Sequence, residues 1–136
     1  MPVSKPDAAA ISLMAQPVNA TLSTIDGSGG PRAVPIWFRY DDGKILIWTK
    51  EDRAWVRHLQ RDPRCAFAVY NQGVDLRGVL IRGQATITTT DDSWVHEEAR
   101  RICERYMPPG ELEAYLGQYP DLRTIVTIEP EWIRSW

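Results

Sequence analysis

The chain has 136 residues, of which 43% are hydrophobic and 25% charged, with a formal net charge of −2. That length predicts a single domain, 1–136, large enough to bury a sizeable core, and the composition excludes disorder. The charge balance excludes a nucleic-acid reader that works by bulk positive charge, and no apolar run approaches a membrane span.

Ala8–Gln16 is Ala-rich and apolar and predicts a short helix ended by Pro17, part of an N-terminal arm, 1–18. Residues Met1–Asp7 show no charged segment leading into an apolar one, so a cytoplasmic location is expected. Asn19–Ile25 is rich in β-branched residues and stops at Asp26-Gly27-Ser28-Gly29-Gly30-Pro31, a strong turn signal. Arg32–Tyr40 predicts the second strand. Asp41-Asp42-Gly43-Lys44 is a hairpin turn into a third, Ile45–Thr49. Arg53–Arg61 reads as a helix that stops before Asp62-Pro63, because a residue preceding proline resists helical angles. Arg64–Tyr70 predicts a fourth strand and Leu76–Thr90 a long one, with Gly78 and Gly83 marking a bend or bulge. A helix begins at Asp91-Asp92 and reaches about Tyr106, where Met107-Pro108-Pro109-Gly110 breaks it. A short helix, Glu111–Leu116, and a last strand, Thr124–Glu129, follow. Pro130 closes that strand and leaves a tail, 130–136.

About six strands joined mostly by short turns predict a mainly β protein, an antiparallel barrel with a few helices. Two strands are apolar on both faces: Ile45–Thr49, and Arg64–Tyr70 with Ala66, Ala68 and Tyr70 opposite Cys65, Phe67 and Val69. A barrel hides only its inner face, so a helix or a second subunit must cover the other. The expected assembly is a homodimer.

Little of the usual machinery of catalysis is visible. There is no nucleophile elbow, P-loop or dinucleotide fingerprint, and catalytic residues stay unassigned. Cys65 and Cys103 make neither a disulfide framework nor a metal knuckle, and Cys65 reads as a buried thiol suited to a reducing compartment. His58 and His96 have no partner histidine at ligand spacing, so no metal site is expected.

One stretch stands out. Lys50, Arg53 and Arg57 fall on a strand end and the first turns of the following helix. Arg53, Arg57 and Arg61 recur every four residues and share a helix face. Such a row is a solvated basic face or an anion site, where the helix N-terminus adds N–H groups and a positive dipole end. The excess of arginine, 13 against 3 lysines, is either genomic composition or phosphate recognition. Six tryptophans could line the pocket of a flat ligand.

Four segments together resemble the pyridoxamine 5′-phosphate oxidase-like split β-barrel superfamily: Arg32-Ala33-Val34-Pro35-Ile36-Trp37-Phe38, Ile47-Trp48-Thr49, Arg57-His58-Leu59-Gln60-Arg61-Asp62-Pro63-Arg64 and Leu80-Ile81-Arg82-Gly83. Within it the chain is most similar to the flavin/deazaflavin oxidoreductases, the F420-dependent group. The resemblance implies an antiparallel split barrel and a homodimer, with FMN or coenzyme F420 in a cleft between subunits. Arg32–Trp37 would lie along the flavin ring, with backbone groups near Pro35, Ile36 and Trp37 facing it. Thr49 and the basic stretch Lys50–Arg57 would hold the phosphate, and Arg77 matches the family's arginine on the long strand. Pyridoxamine phosphate oxidases proper carry lysine where Trp37 stands, Ser-Arg-Lys at Arg53-Ala54-Trp55 and glutamine at Gly78, so that oxidase activity is not expected here. Trp37 and Trp55 would wall the ring instead. The implied chemistry is hydride transfer between cofactor and a small organic substrate, with Tyr70, Arg77 and Trp55 as substrate-side candidates. The alternative is a non-catalytic carrier of flavin, deazaflavin or haem, for which His58 would be the axial ligand.

Overall fold

The computed structural model describes residues 5–136, so the first four residues of the N-terminal arm, with part of the Met1–Asp7 segment, lie outside the described residues. Asp7 caps α1 (Ala8–Met14) by accepting the Ala10 N–H at 2.8 Å, and the helix buries Ala10, Leu13 and Met14. Then come β1 (Ala20–Ile25), β2 (Pro31–Ile36), β3 (Arg39–Asp41), β4 (Lys44–Thr49), α2 (Ala54–Arg61), β5 (Arg64–Tyr70), β6 (Gly78–Thr89), α3 (Ser93–Cys103), α4 (Pro109–Gly117) and β7 (Thr124–Ser135). The turn between β1 and β2 is held by Asp26, whose carboxylate accepts N–H groups of Ser28 and Gly30.

The strands form one seven-stranded sheet in the order β2-β1-β5-β6-β7-β4-β3, every neighbouring pair antiparallel. Its two ends, β2 and β3, are consecutive in the chain and separated only by Trp37 and Phe38. The sheet must therefore curl until its edges meet, which gives the split barrel. The single strand expected over Arg32–Tyr40 is two: Pro31–Ile36 pairs with β1 and Arg39–Asp41 with β4. Phe38 enters the core at this seam, fully buried and edge-on to Phe67 at 4.8 Å.

A second correction concerns residues 130–136. They are not a tail: β7 continues through Pro130 to Ser135 and pairs with β6 along its length. Proline is accommodated because β4 pairs with β7 only as far as Ile128, so from there β7 needs one neighbour and not two. The expected irregularity lies at Gly83. Arg82 pairs with Trp132 and Gly83 with Pro130, leaving Glu131 as an extra residue on β7. A Cβ on Gly83 would overlap the Glu129 carbonyl oxygen.

The interior is built by alternation. Ile45 and Ile47 of β4 point inward, as do Cys65, Phe67 and Val69 of β5, and α1 and α2 add Leu13, Met14, Val56 and Leu59. The outer face of β4 is covered by the chain itself. There α3 packs along the strand, and the Trp48 indole N–H donates to the Leu122 carbonyl at 2.7 Å. A buried pair fixes α3: Arg39 donates Nε and Nη2 to the two Glu98 oxygens at 2.7 and 2.6 Å. On β5, Ala66 and Ala68 are half-buried and Tyr70 is exposed.

Candidate functional site

Where the barrel splits, two strand edges lack a neighbour. β4 pairs with β3 only from Lys44 to Leu46, so Ile47–Thr49 is unpaired on that side. β2 is the terminal strand of the sheet, so its edge away from β1 is open as well. Between these edges lies a cleft of about 630 Å³, lined by residues of both strands, by Arg53 at the N-cap of α2 and Trp55 within it, and by Tyr115 and Tyr119. Open edges present backbone N–H and C=O groups to whatever enters.

Of the residues singled out from sequence, Pro35, Ile36, Trp37, Thr49, Arg53 and Trp55 all line this cleft. Thr49 is buried, while Arg53 is exposed and supplies the lining's one full positive charge. Neither Arg53 nor Arg57 is among the ion-paired arginines of the described residues. Arg57 lies one turn further along α2, exposed and outside the lining. Lys50 is next to Thr49 but is held by Asp121 at 3.0 Å and Asp52 at 3.7 Å. Asp121 pushes the Lys50 ammonium up, and Lys50 draws the Asp121 carboxyl down. Arg32 faces Asp26 at 3.6 Å in the β1–β2 turn region. Arg77 sits just before β6, beside Asp75 at 3.3 Å, and does not reach this cleft. His58 of α2 is half-buried against β1, its Nδ1 sharing a hydrogen bond with the Thr24 hydroxyl at 3.0 Å. It is not among the residues that line the cleft.

The far wall was not foreseen. Trp37 stacks parallel on Tyr106 at 4.7 Å and meets Tyr115 at 5.8 Å, and Tyr115 in turn meets Tyr119 at 5.1 Å. Tyr106 is fixed from both sides: its hydroxyl donates to the Val18 carbonyl at 2.9 Å and accepts the Phe38 N–H at 3.2 Å. Arg105 secures the same corner by donating to the carbonyls of Met14, Gln16 and Phe38. Burial raises the Tyr106 and Tyr115 hydroxyls above their usual range and pushes the Cys103 thiol up to about 11, so these groups stay protonated at neutral pH. The tyrosines at 106, 115 and 119 are visible in the sequence, but only the fold sets Tyr106 and Tyr115 against Trp37 and Tyr119 against Tyr115. No carboxylate or histidine lines the cleft. Among the described residues no cluster of His, Cys, Asp and Glu could hold a metal ion, and no helix is long and apolar enough to cross a membrane.

The fold has known counterparts. A conserved hypothetical protein of Mycobacterium tuberculosis matches with a TM-score of 0.81 and 28% identity, over 98% of this chain and 86% of that one. An F420 reductase matches with a TM-score of 0.75 and 20% identity, over 96% and 98%. A FAD-binding protein of Mesorhizobium loti matches with a TM-score of 0.70 and 14% identity, over 99% and 97%. No curated protein matches in sequence. The family model described as pyridoxamine 5′-phosphate oxidase covers residues 7–136, and with this extent of match the chain belongs to that family.

Proposed function

We propose that the cleft holds a flavin-type cofactor, FMN or coenzyme F420, and that the protein is an oxidoreductase acting on a small organic substrate. The observation that carries this reading is the pair of open strand edges, Val34–Trp37 and Ile47–Thr49, facing one aromatic cleft with a single free arginine at its margin. The donor set fits such a group. Backbone edges offer hydrogen bonds to the polar rim of a flat ring, Trp37 and Trp55 offer apolar walls, and Arg53 with Thr49 offers charge and a hydroxyl to an anionic end. When bound, the cofactor would supply the hydride chemistry. The protein's part is to hold the ring, exclude water and orient the substrate, which requires no acid or base among the lining residues. Similarity to an F420 reductase and to a FAD-binding protein supports the cofactor class and leaves the choice within it open. Trp37 and Trp55 in place of lysines argue against pyridoxamine phosphate oxidation itself. The buried free thiols suit a reducing cytoplasm.

The same reading takes the protein as a homodimer. Tyr70, Val74 and Leu76 are exposed apolar side chains around Arg77, at 57%, 109% and 58% exposure, and Trp136 lies at 55%. A second copy covering this end would bring Arg77 toward a cleft it does not reach alone. Sedimentation at low micromolar concentration should show a dimer, and a monomer would sink the shared-cleft arrangement.

The alternative reading is a non-catalytic carrier of flavin, deazaflavin or haem in the same cleft. The haem version of that reading has no histidine in the cleft to call on, since His58 lies outside the lining. Titration with FMN, F420 and haem under identical conditions separates the readings. FMN or F420 should quench tryptophan fluorescence and raise Tm, and haem should do neither. If no ligand changes either signal at tens of micromolar, the cofactor reading falls. A bound cofactor that never turns over would leave the carrier.

A further inference from the structure

Trp37 and Phe38 cross from β2 to β3 outside both ladders, which end at Ile36 on one side and resume at Arg39 on the other. No strand neighbour holds this crossing, yet Trp37 stands half-buried in the cleft wall. Two side chains just beyond the end of α3 take the place of the missing neighbour. The Phe38 N–H donates to the Tyr106 hydroxyl at 3.2 Å, and the Phe38 carbonyl accepts from Arg105. Arg105 also donates to the Met14 and Gln16 carbonyls, both at 2.7 Å, and its guanidinium lies 4.7 Å from the centre of the Phe38 ring. Among the described residues it pairs with no carboxylate, so this buried fork serves the backbone alone. With the backbone held, the Tyr106 ring lies 4.7 Å from the Trp37 indole and only 3° from its plane. Tyr115 is farther, at 5.8 Å, and tilted by 36°, so Tyr106 is the ring that sets the plane of the indole.

We propose that Tyr106 is a positioning residue for the cleft: its hydroxyl, with Arg105, anchors the β2–β3 crossing, and its ring holds Trp37 in one orientation before any ligand arrives. Tyr106 itself is not among the residues that line the cleft, so it acts through Trp37. The inference rests on the flavin-type cofactor reading for its ligand. A flat ring bound against an indole already fixed in place does not have to order that side chain on binding. Ordering one such side chain weakens an association by about two- to tenfold. The crossing is where this matters, because the ladders that fix the rest of the barrel are absent there.

The test compares Tyr106→Leu, which removes the stacked ring, with Tyr106→Phe, which keeps the ring and removes the hydroxyl, using FMN and F420 titrated by calorimetry on the intact protein. Tyr106→Leu should weaken binding by about two- to tenfold, and Tyr106→Phe should stay within about twofold while its Tm falls. In a Trp37→Ala background Tyr106→Leu should cost nothing further. Unchanged affinity in Tyr106→Leu overturns the proposal, and so does an equal loss in both variants or a loss that persists without Trp37. Two readouts need no cofactor. In protein labelled with fluorotryptophan, the Trp37 line, identified by its disappearance in Trp37→Phe, should be narrow in the wild type and in Tyr106→Phe and broadened in Tyr106→Leu; equal widths overturn the proposal. The Phe38 amide should exchange slowly in the wild type, although it lies in no ladder, and faster in Tyr106→Phe. Fast exchange in the wild type overturns the anchoring, and this check stands even where Tyr106→Leu fails to fold. Failure of the wild type to bind either cofactor is a different result: it removes the cofactor reading and leaves the line width and the Phe38 amide to decide the role of Tyr106.

Discussion

The join between β6 and β7 and the join between β2 and β3 are opposite solutions to closing a sheet. The first is long and fully laddered, with pairs from Val79–Ser135 to Thr89–Thr124, and at its irregularity backbone meets backbone so closely that only glycine fits at position 83. The second has no ladder at all: two residues cross from one end of the sheet to the other and leave two edges unpaired. The difference teaches where each kind of energy resides. Strand pairing and packing on the closed side hold the barrel, so the open side is free to keep unpaired backbone groups, aromatic walls and a lone arginine around its cleft.

Substitutions on the two sides should therefore separate stability from binding. The largest effect is expected at Gly83→Val, where the new side chain collides with β7 backbone. Overpacking of this kind costs about 3 kcal/mol, a fall in Tm of roughly 10 °C, while cofactor affinity of the folded fraction is retained. If affinity falls in step with stability, the two sides are coupled and the contrast is false. Next comes Arg53→Glu on the open side, which should weaken cofactor binding at least tenfold, about 1.4 kcal/mol. Its Tm should stay within roughly 2 °C, because exposed charge changes rarely exceed about 0.5 kcal/mol. Arg57→Glu sharpens the boundary of the site. Being outside the lining, it should cost less than about threefold, and a loss equal to that of Arg53→Glu would extend the anion site down α2. The smallest effect tests the β1–β2 turn. The Ser28 hydroxyl and the Gly30 N–H hold the Asp26 carboxyl down at about 2. A carboxyl lowered on folding contributes stability above its usual titration range and loses it as pH falls toward the lowered value. Tm should therefore fall between about pH 4 and pH 2, and less so in Asp26→Asn. Equal slopes would show that the turn does not contribute.

How much of this was legible in the sequence follows from the range of each cause. β5 was read at its observed bounds because alternation and flanking turns are local signals. The break after Ile36 was not, since Arg32–Tyr40 contains no Gly, Asn or Asp to mark it and the change of partner is imposed by closure of the whole sheet. Pro130 predicts a strand end because proline removes a donor. That reasoning holds for a strand with two neighbours, and there β7 has one. In the cleft, Trp37 and Thr49 follow from a motif resemblance and Arg53 from the four-residue spacing of arginines at a helix start as well, and both signals are local. The engagement of Lys50 by Asp121, and of His58 by Thr24, joins residues far apart in the chain and had no sequence signature.

The open edge of β2 carries a liability as well as a site. An exposed strand edge is a template for adding another chain, the first step of edge-to-edge aggregation. Two of the six residues of β2, Pro31 and Pro35, are prolines, which have no N–H to offer an incoming strand. The lip of the cleft is thereby guarded against a misplaced polypeptide while staying open to a small molecule, which needs only a few of the remaining backbone groups.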